Sequence, residues 1–220
     1  ESVSVGGRVA ALVRGLDPHG RLVSLSADGR PATAVVYTDS GLIAGLSNAE
    51  CRVDYLYDAL GRLSKVSDDQ GEIESYTYAF ASGSGSSWVP NLVRRRIKRN
   101  ASSSDTQVIE SVSQADGIGR PLGNVIIGGG GSGYNLLTRM EYDLSGRQIR
   151  EWLPVRSTSE YLSPSACLSA ALSLYGNTDG ARAFSETVFE KSAMDRAEKT
   201  YGPGAAWYPG HPVSTEWLCN

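Results

Sequence analysis

The chain has 220 residues, 40% of them hydrophobic and 20% charged, which is enough to bury one core with a smaller appended unit. Its net charge of -3 gives no broad pull toward nucleic acid or an anionic membrane. The 3 cysteines, Cys51, Cys167 and Cys219, lie far apart with no C-x-x-C, which argues against a zinc cluster and allows at most one disulfide within the chain.

Turn signals arrive at a steady beat from the start: "DPHG" (17–20), "ADGR" (27–30), "TDSG" (38–41), "DALG" (58–61) and "DDQG" (68–71). They continue with "SGSGSS" (82–87), "NASSSD" (100–105), "DGIG" (116–119), "GGGGSG" (128–133) and "DLSG" (143–146). Between them stand short runs rich in Val, Ile, Leu, Tyr and Thr, such as "ATAVVYT", "RVDYLY", "EIESYTYAF" and "LLTRMEY". This punctuation predicts an antiparallel β meander. The beat stops near "EWLPV" (151–155). "SPSACLSAALSLYGN" (163–177) then reads as a helix, with Ser163 as N-cap, Pro164 at the first helical position and Gly176 as its end. Cys167, Ala171, Leu172 and Leu174 form a partial apolar stripe. "FSETVFE" (184–190) reads as one more strand, and the aromatic, Pro- and Gly-rich end (201–217) as an ordered loop followed by a strand. No run approaches the roughly 18 apolar residues that span a bilayer, so membrane insertion is not expected. The start at Glu1 without Met reads as a processed or excised piece of something longer.

One pattern repeats. D-x-x-G-R occurs at Asp17-Gly20-Arg21, Asp58-Gly61-Arg62, Asp116-Gly119-Arg120 and Asp143-Gly146-Arg147, at irregular separations. Asp suits the first position of a type I turn, where its carboxylate accepts a backbone N–H two residues on. Gly at the fourth position takes φ > 0, giving a hairpin with a G1 bulge. Tyr57 and Tyr142 close one strand, and each Arg opens the next, pairing either with its own Asp or with an acid of a neighbouring repeat. A catalytic reading of Asp, Arg and Tyr fails on number, because a small chain rarely needs one site four times.

The stretch "VDYLYDALGRLSKVSDDQGEIESYTY" (53–78) resembles a YD repeat of the RHS/YD-repeat family. "ADGIGRP…LLTRMEYDLSGRQIREWLPV" (115–155) and "FSETVFEKSAMDR…YGPGAAWYPGHP" (184–212) resemble the repeat-bearing domain near the start of Bacteroidota RHS-type proteins. Ala115 departs from the pattern, standing where a Tyr often does. The resemblance implies hairpin repeats winding into a curved sheet, which in full-length relatives closes into a shell or serves as an adhesive scaffold. The self-cleaving aspartyl segment of some RHS shells has no counterpart here.

Other candidates are weaker. "GGGGSG" contains G-x-G-x-x-G at Gly128, Gly130 and Gly133, but a strand rather than a helix follows, so a hairpin tip is expected. "RRRIKR" (94–99) could meet a polyanion, although a charged strand kept from aggregating is the plainer reading. His19 and His211 both sit in turns, and no hydrolase or metalloprotease motif accompanies them. Trp207, Tyr208 and His211 lie at the densest aromatic spot and form the one candidate ligand platform, with packing of the tail as the plainer reading.

The expectation is a mainly β, antiparallel hairpin meander over residues 1–156, with a helix–strand tail over 157–220 packing on or extending the sheet. Its expected role is a non-enzymatic scaffold module of a larger secreted, periplasmic or cell-surface RHS-type protein, without cofactor or metal. Its expected partners are further repeats or a neighbouring chain at exposed sheet edges. The alternative is a carbohydrate-binding module using the tail aromatics, with glycans as partner.

Overall fold

A computed structural model describes residues 2–5, 8–27, 30–85, 88–99, 107–192 and 194–218, with residues 2–11 as backbone only. The expected turn at 100–105 and Cys219 lie outside the described residues, as do parts of the turns at 27–30 and 82–87. The protein is mainly β, with one helix among the described residues. It divides into two compact units, Glu1–Thr77 with Arg95–Ile109 and Tyr78–Arg94 with Glu110–Asn220, which is not a division at residue 156.

The first unit is an antiparallel meander. β1 (Ser2–Val5), β2 (Arg8–Leu16), β3 (Leu22–Ala27), β4 (Thr33–Tyr37), β5 (Ile43–Ser47), β6 (Arg52–Tyr57), β7 (Leu63–Asp68) and β8 (Gly71–Ala79, whose last two residues belong to the second unit) pair each with the next. Register sets the faces. Val35, Leu46 and Val53 lie side by side across β4, β5 and β6, making an apolar row on one face. Val36, Gly45 and Asp54 form the adjacent row on the other. Among the described residues no second layer covers either face within this unit, and Gly45 is its sole fully buried residue.

The second unit holds the core. β9 (Asn91–Lys98) pairs with β10 (Val108–Ala115), and both strands contribute residues to each unit. β11 (Pro121–Gly131) and β12 (Tyr134–Tyr142) continue the meander. β12 then pairs along one part with β13 (Gln148–Trp152) and along another with β14 (Val155–Ser157). Pro154 breaks this strand in two because it has no N–H for the ladder.

The tail belongs to this sheet. β15 (Phe184–Phe189) pairs with β13, β16 (Ala197–Tyr201) with β15, and β17 (Val213–Ser214) with β16. α1 (Pro164–Gly180) packs over β14. Ser163 caps it by accepting the Ala166 N–H, and Gly176 at φ 83°, ψ 170° interrupts it after Tyr175. Val112, Val125, Leu137, Trp152, Val155 and Phe184 of the strands close on Cys167 and Ala171 of the helix. One expected stripe residue differs. Leu174 is 39% exposed, and Tyr175 packs against the core instead, its hydroxyl anchored on the Pro154 carbonyl at 2.6 Å.

Candidate functional site

All four D-x-x-G-R boxes fold alike. The Gly N–H donates to the Asp carbonyl, closing the turn, and the Asp N–H donates to the Arg carbonyl at 2.8–3.0 Å. The Asp Oδ1 accepts the N–H of the third box residue and that of the Arg. Gly20, Gly61, Gly119 and Gly146 take φ of 79°, 74°, 88° and 84°. The pairing register shifts beside each turn, as a G1 bulge requires. Each Arg Nε donates to its own Asp, with Arg21–Asp17 and Arg62–Asp58 at 2.7 Å, Arg120–Asp116 at 2.6 Å and Arg147–Asp143 at 2.8 Å. Each box Arg therefore meets its own Asp, and Arg147 also approaches Asp195 at 3.7 Å.

The boxes are nevertheless not isolated. The Arg21 guanidinium lies 4.6 Å from the ring centre of Tyr37, and Arg120 lies 4.8 Å from that of Tyr142. The same tyrosines reach back across the sheet. Tyr37 donates its hydroxyl to the Leu22 carbonyl at 2.9 Å, and Tyr142 donates to Pro121 at 2.7 Å. In each case the acceptor is the residue after the box arginine. An aromatic that closes one strand thus covers the arginine of the preceding turn and fastens the strand that arginine begins.

This rule exposes boxes that the D-x-x-G-R pattern misses. Thr38, Gly41 and Leu42 form the same turn, with the Thr38 hydroxyl accepting the Leu42 N–H at 3.1 Å and Gly41 at φ 84°. Tyr57 donates to the Ile43 carbonyl at 2.7 Å, so Leu42 holds the arginine position. At the next level Phe189 replaces Tyr. Arg147 lies 4.9 Å from its ring centre and donates to the Glu190 carbonyl at 3.2 Å. The turn after Phe189 is longer, closed by the Glu190 N–H on Arg196. Arg196 lies 5.3 Å from the Trp217 ring centre, and the Trp217 indole N–H reaches Ala197 at 3.2 Å. At Ala115, where an aromatic is missing, the amide of Asn91 bridges the Ala81 N–H and the Asp116 carbonyl at 2.8 Å each.

The charges are spent on this framework. The Asp58 and Asp143 carboxyls are held below the ordinary range chiefly by the Arg62 and Arg147 backbone N–H groups, against partial burial and with the guanidinium adding to the effect. At Asp17 and Asp116 partial burial is the largest influence and acts upward, but the hydrogen bonds from the Arg and from the third box residue, with the guanidinium charge, together outweigh it. Two arginines of the basic run in β9 are paired. Arg94 meets Glu110 and both carboxylate oxygens of Glu160, and Arg95 meets Glu74. Burial pushes the Cys167 thiol up to about 11, with Arg139 pulling it down and Glu141 pushing it up; such a thiol is a packing residue rather than a nucleophile. The glycine run ends as the expected hairpin tip, Gly131 facing Tyr134 across Ser132 and Gly133, both at positive φ.

The tail aromatics separate. Tyr208 packs at 5.0 Å against Tyr201 and lies 3.9 Å from the Arg182 guanidinium, which also contacts Phe184 and pairs with Glu186. His211 is exposed, and its backbone N–H donates to Trp207 at 3.0 Å; His19 is likewise exposed in its turn. Trp207 is half exposed and lines a cleft of about 310 Å³ with Leu153, Tyr175, Asp179 and Pro203. Among the described residues no three His, Cys, Asp or Glu side chains gather as a metal site, and no helix is long and apolar enough to cross a membrane.

A solved structure that resembles the chain is the crystal structure of TcdB2-TccC3-TEV, with a TM-score of 0.61 and 12% identity. The likeness covers 88% of this chain but 14% of that one, so the chain spans about a seventh of that protein's length. At this identity the fold is what is shared, and it fits a YD/RHS-repeat-like architecture. No curated protein matches the sequence. Residues 87–217 match the family described as Domain of unknown function (DUF6443). That span is more than half of the chain, and the protein belongs to the DUF6443 family.

Proposed function

We propose that this domain is a non-catalytic scaffold module of a larger, extracellular RHS-type protein, contributing a length of repeat wall to it. The observation that carries this reading is the serial aromatic fastening of the turns. Each box turn sets its Asp on its own Arg, and Arg21, Arg120 and Arg147 also lie on a following ring, leaving no convergent acid, base and nucleophile at the boxes. A repeat of this kind gains stability from its neighbours, which suits assembly into a longer array. The likeness in fold to a much longer chain supports the same reading.

Electron cryomicroscopy of the full polypeptide that carries this domain tests it. The expected result is flanking strands paired onto this sheet, with their own turn arginines covered by successive aromatics. An isolated domain joined to its neighbours only by flexible linkers would overturn the proposal.

A further inference from the structure

The geometry points to the tail cleft as a binding site for an alkylammonium group, a cation carried on or surrounded by aliphatic carbon. Nothing in the scaffold reading requires this cleft. Gly176 ends the first part of α1 after Tyr175 and turns the chain so that Asp179 comes beneath the turn at 202–207. The Asp179 Oδ1 accepts the Ala205 N–H at 3.1 Å, and the Gly204 N–H donates to the Arg182 carbonyl at 2.7 Å. These bonds fix the carboxylate relative to Trp207. The indole itself lies on Gly202, where a Cβ would come within 3.2 Å of the ring. One side of the indole is therefore seated on backbone while the residue remains 51% exposed.

Gly204 marks an open position between the two groups. A carbon placed where its Cβ would be stands 3.5 Å from Asp179 Oδ1 and 4.0 Å from Trp207 Cδ1. A methyl or methylene beside a positive nitrogen, set there, touches a carboxylate oxygen and the indole Cδ1 together. The rest of the lining is apolar or aromatic, from Leu153, Tyr175 and Pro203. Asp179 has no ion-pair partner among the described residues, and Arg182 in the same loop is directed to Glu186 at 2.9 Å.

Aromatic walls with one carboxylate favour a cation whose charge is spread over C–H groups. An anion is repelled, and a neutral sugar would find one side-chain acceptor where several polar groups are normally needed for orientation. The cation could come from a lysine side chain of a polypeptide or from a free quaternary amine.

The test is NMR titration of the 220-residue protein, following the Trp207 indole N–H signal, assigned by its loss in Trp207→Phe. The Trp152 indole N–H, held by Glu141 at 3.0 Å, reports whether the core is intact. The probes are choline, Nα-acetyl-lysine amide, methyl glucoside and sodium chloride. The expected result is a saturable shift with choline, with the lysine derivative, or with both, and none with the glucoside or salt. Saturation by the lysine derivative alone identifies a polypeptide source, and by choline alone a free amine.

Asp179→Asn keeps an oxygen for the Ala205 N–H and removes the charge, so binding should weaken by at least about tenfold while the Trp152 signal stays in place. If that variant disturbs Trp152, Trp207→Ala serves instead and should abolish saturation, read on the backbone amide of Ala205. No saturable shift with either cation up to about 10 mM overturns the proposal, as does undiminished binding in the folded Asp179→Asn variant or saturation by the glucoside alone.

Discussion

At Gly61 and Gly146 the backbone sits at φ of 74° and 84°, which a β-branched residue resists. Their surroundings differ. A Cβ at Gly61 would meet the Leu42 Cδ1 at 3.6 Å, an ordinary contact, whereas one at Gly146 would come within 2.8 Å of the Arg120 Nη1. Arg120 is held there by Asp116 and lies on Tyr142, so shifting its guanidinium to make room works against both contacts. We expect Gly61→Val to destabilise by more than about 1 kcal/mol and Gly146→Val to cost more than Gly61→Val. Chemical denaturation of both variants measures the difference. Equal losses would mean that Arg120 has no fixed place over the glycine.

At the level of the element, the box is a turn with two attachments, one local and one across the sheet. The local attachment was legible in the sequence, because Asp, Gly and Arg within a few residues determine one turn and one ion pair. The helix was legible for the same reason, with Ser163, Pro164 and Gly176 each acting on their own neighbours. The cross-sheet attachment was not. Tyr37, Tyr57 and Tyr142 fasten carbonyls 15, 14 and 21 residues away, and no local pattern ties those positions together. The turn at Thr38 was legible as a turn but not as one of the boxes. Its Thr hydroxyl performs the acceptor role of Asp, and Leu42 fills the arginine position, so the fold survives where the letters do not. The basic run of β9 reads as a charged strand, but the acids that meet Arg94 and Arg95 were not legible, since Glu74, Glu110 and Glu160 are brought alongside only by strand pairing and by the loop after β14.

The Thr38 turn offers a constructive test at this scale. Installing Thr38→Asp and Leu42→Arg together should rebuild the ion pair and place a guanidinium on Tyr57. Leu42→Arg alone lacks its carboxylate. The two substitutions should therefore couple favourably by about 0.5–1 kcal/mol in a thermodynamic cycle. Additive effects would show that the acid does not hold the arginine in place.

Across the whole molecule the two units rely on different sources of stability. The second has a buried core of Val112, Val125, Leu137, Trp152, Val155, Cys167, Ala171 and Phe184, together with ion pairs such as Arg150–Glu186 at 2.7 Å. The first has a sheet whose sole fully buried described residue is Gly45, so strand pairing and the aromatic attachments carry a larger share of what holds it. The unit whose described residues form no buried core is thus where serial fastening should matter most. Native-state amide hydrogen exchange in β3 and β4, measured for wild type, Arg21→Gln, Tyr37→Leu and the double variant, isolates the link between one turn and the next strand. A favourable Arg21–Tyr37 coupling of about 0.5–1 kcal/mol is the predicted result, whereas additive losses, with β4 protection insensitive to Arg21, would contradict serial fastening and leave the boxes as independent turns.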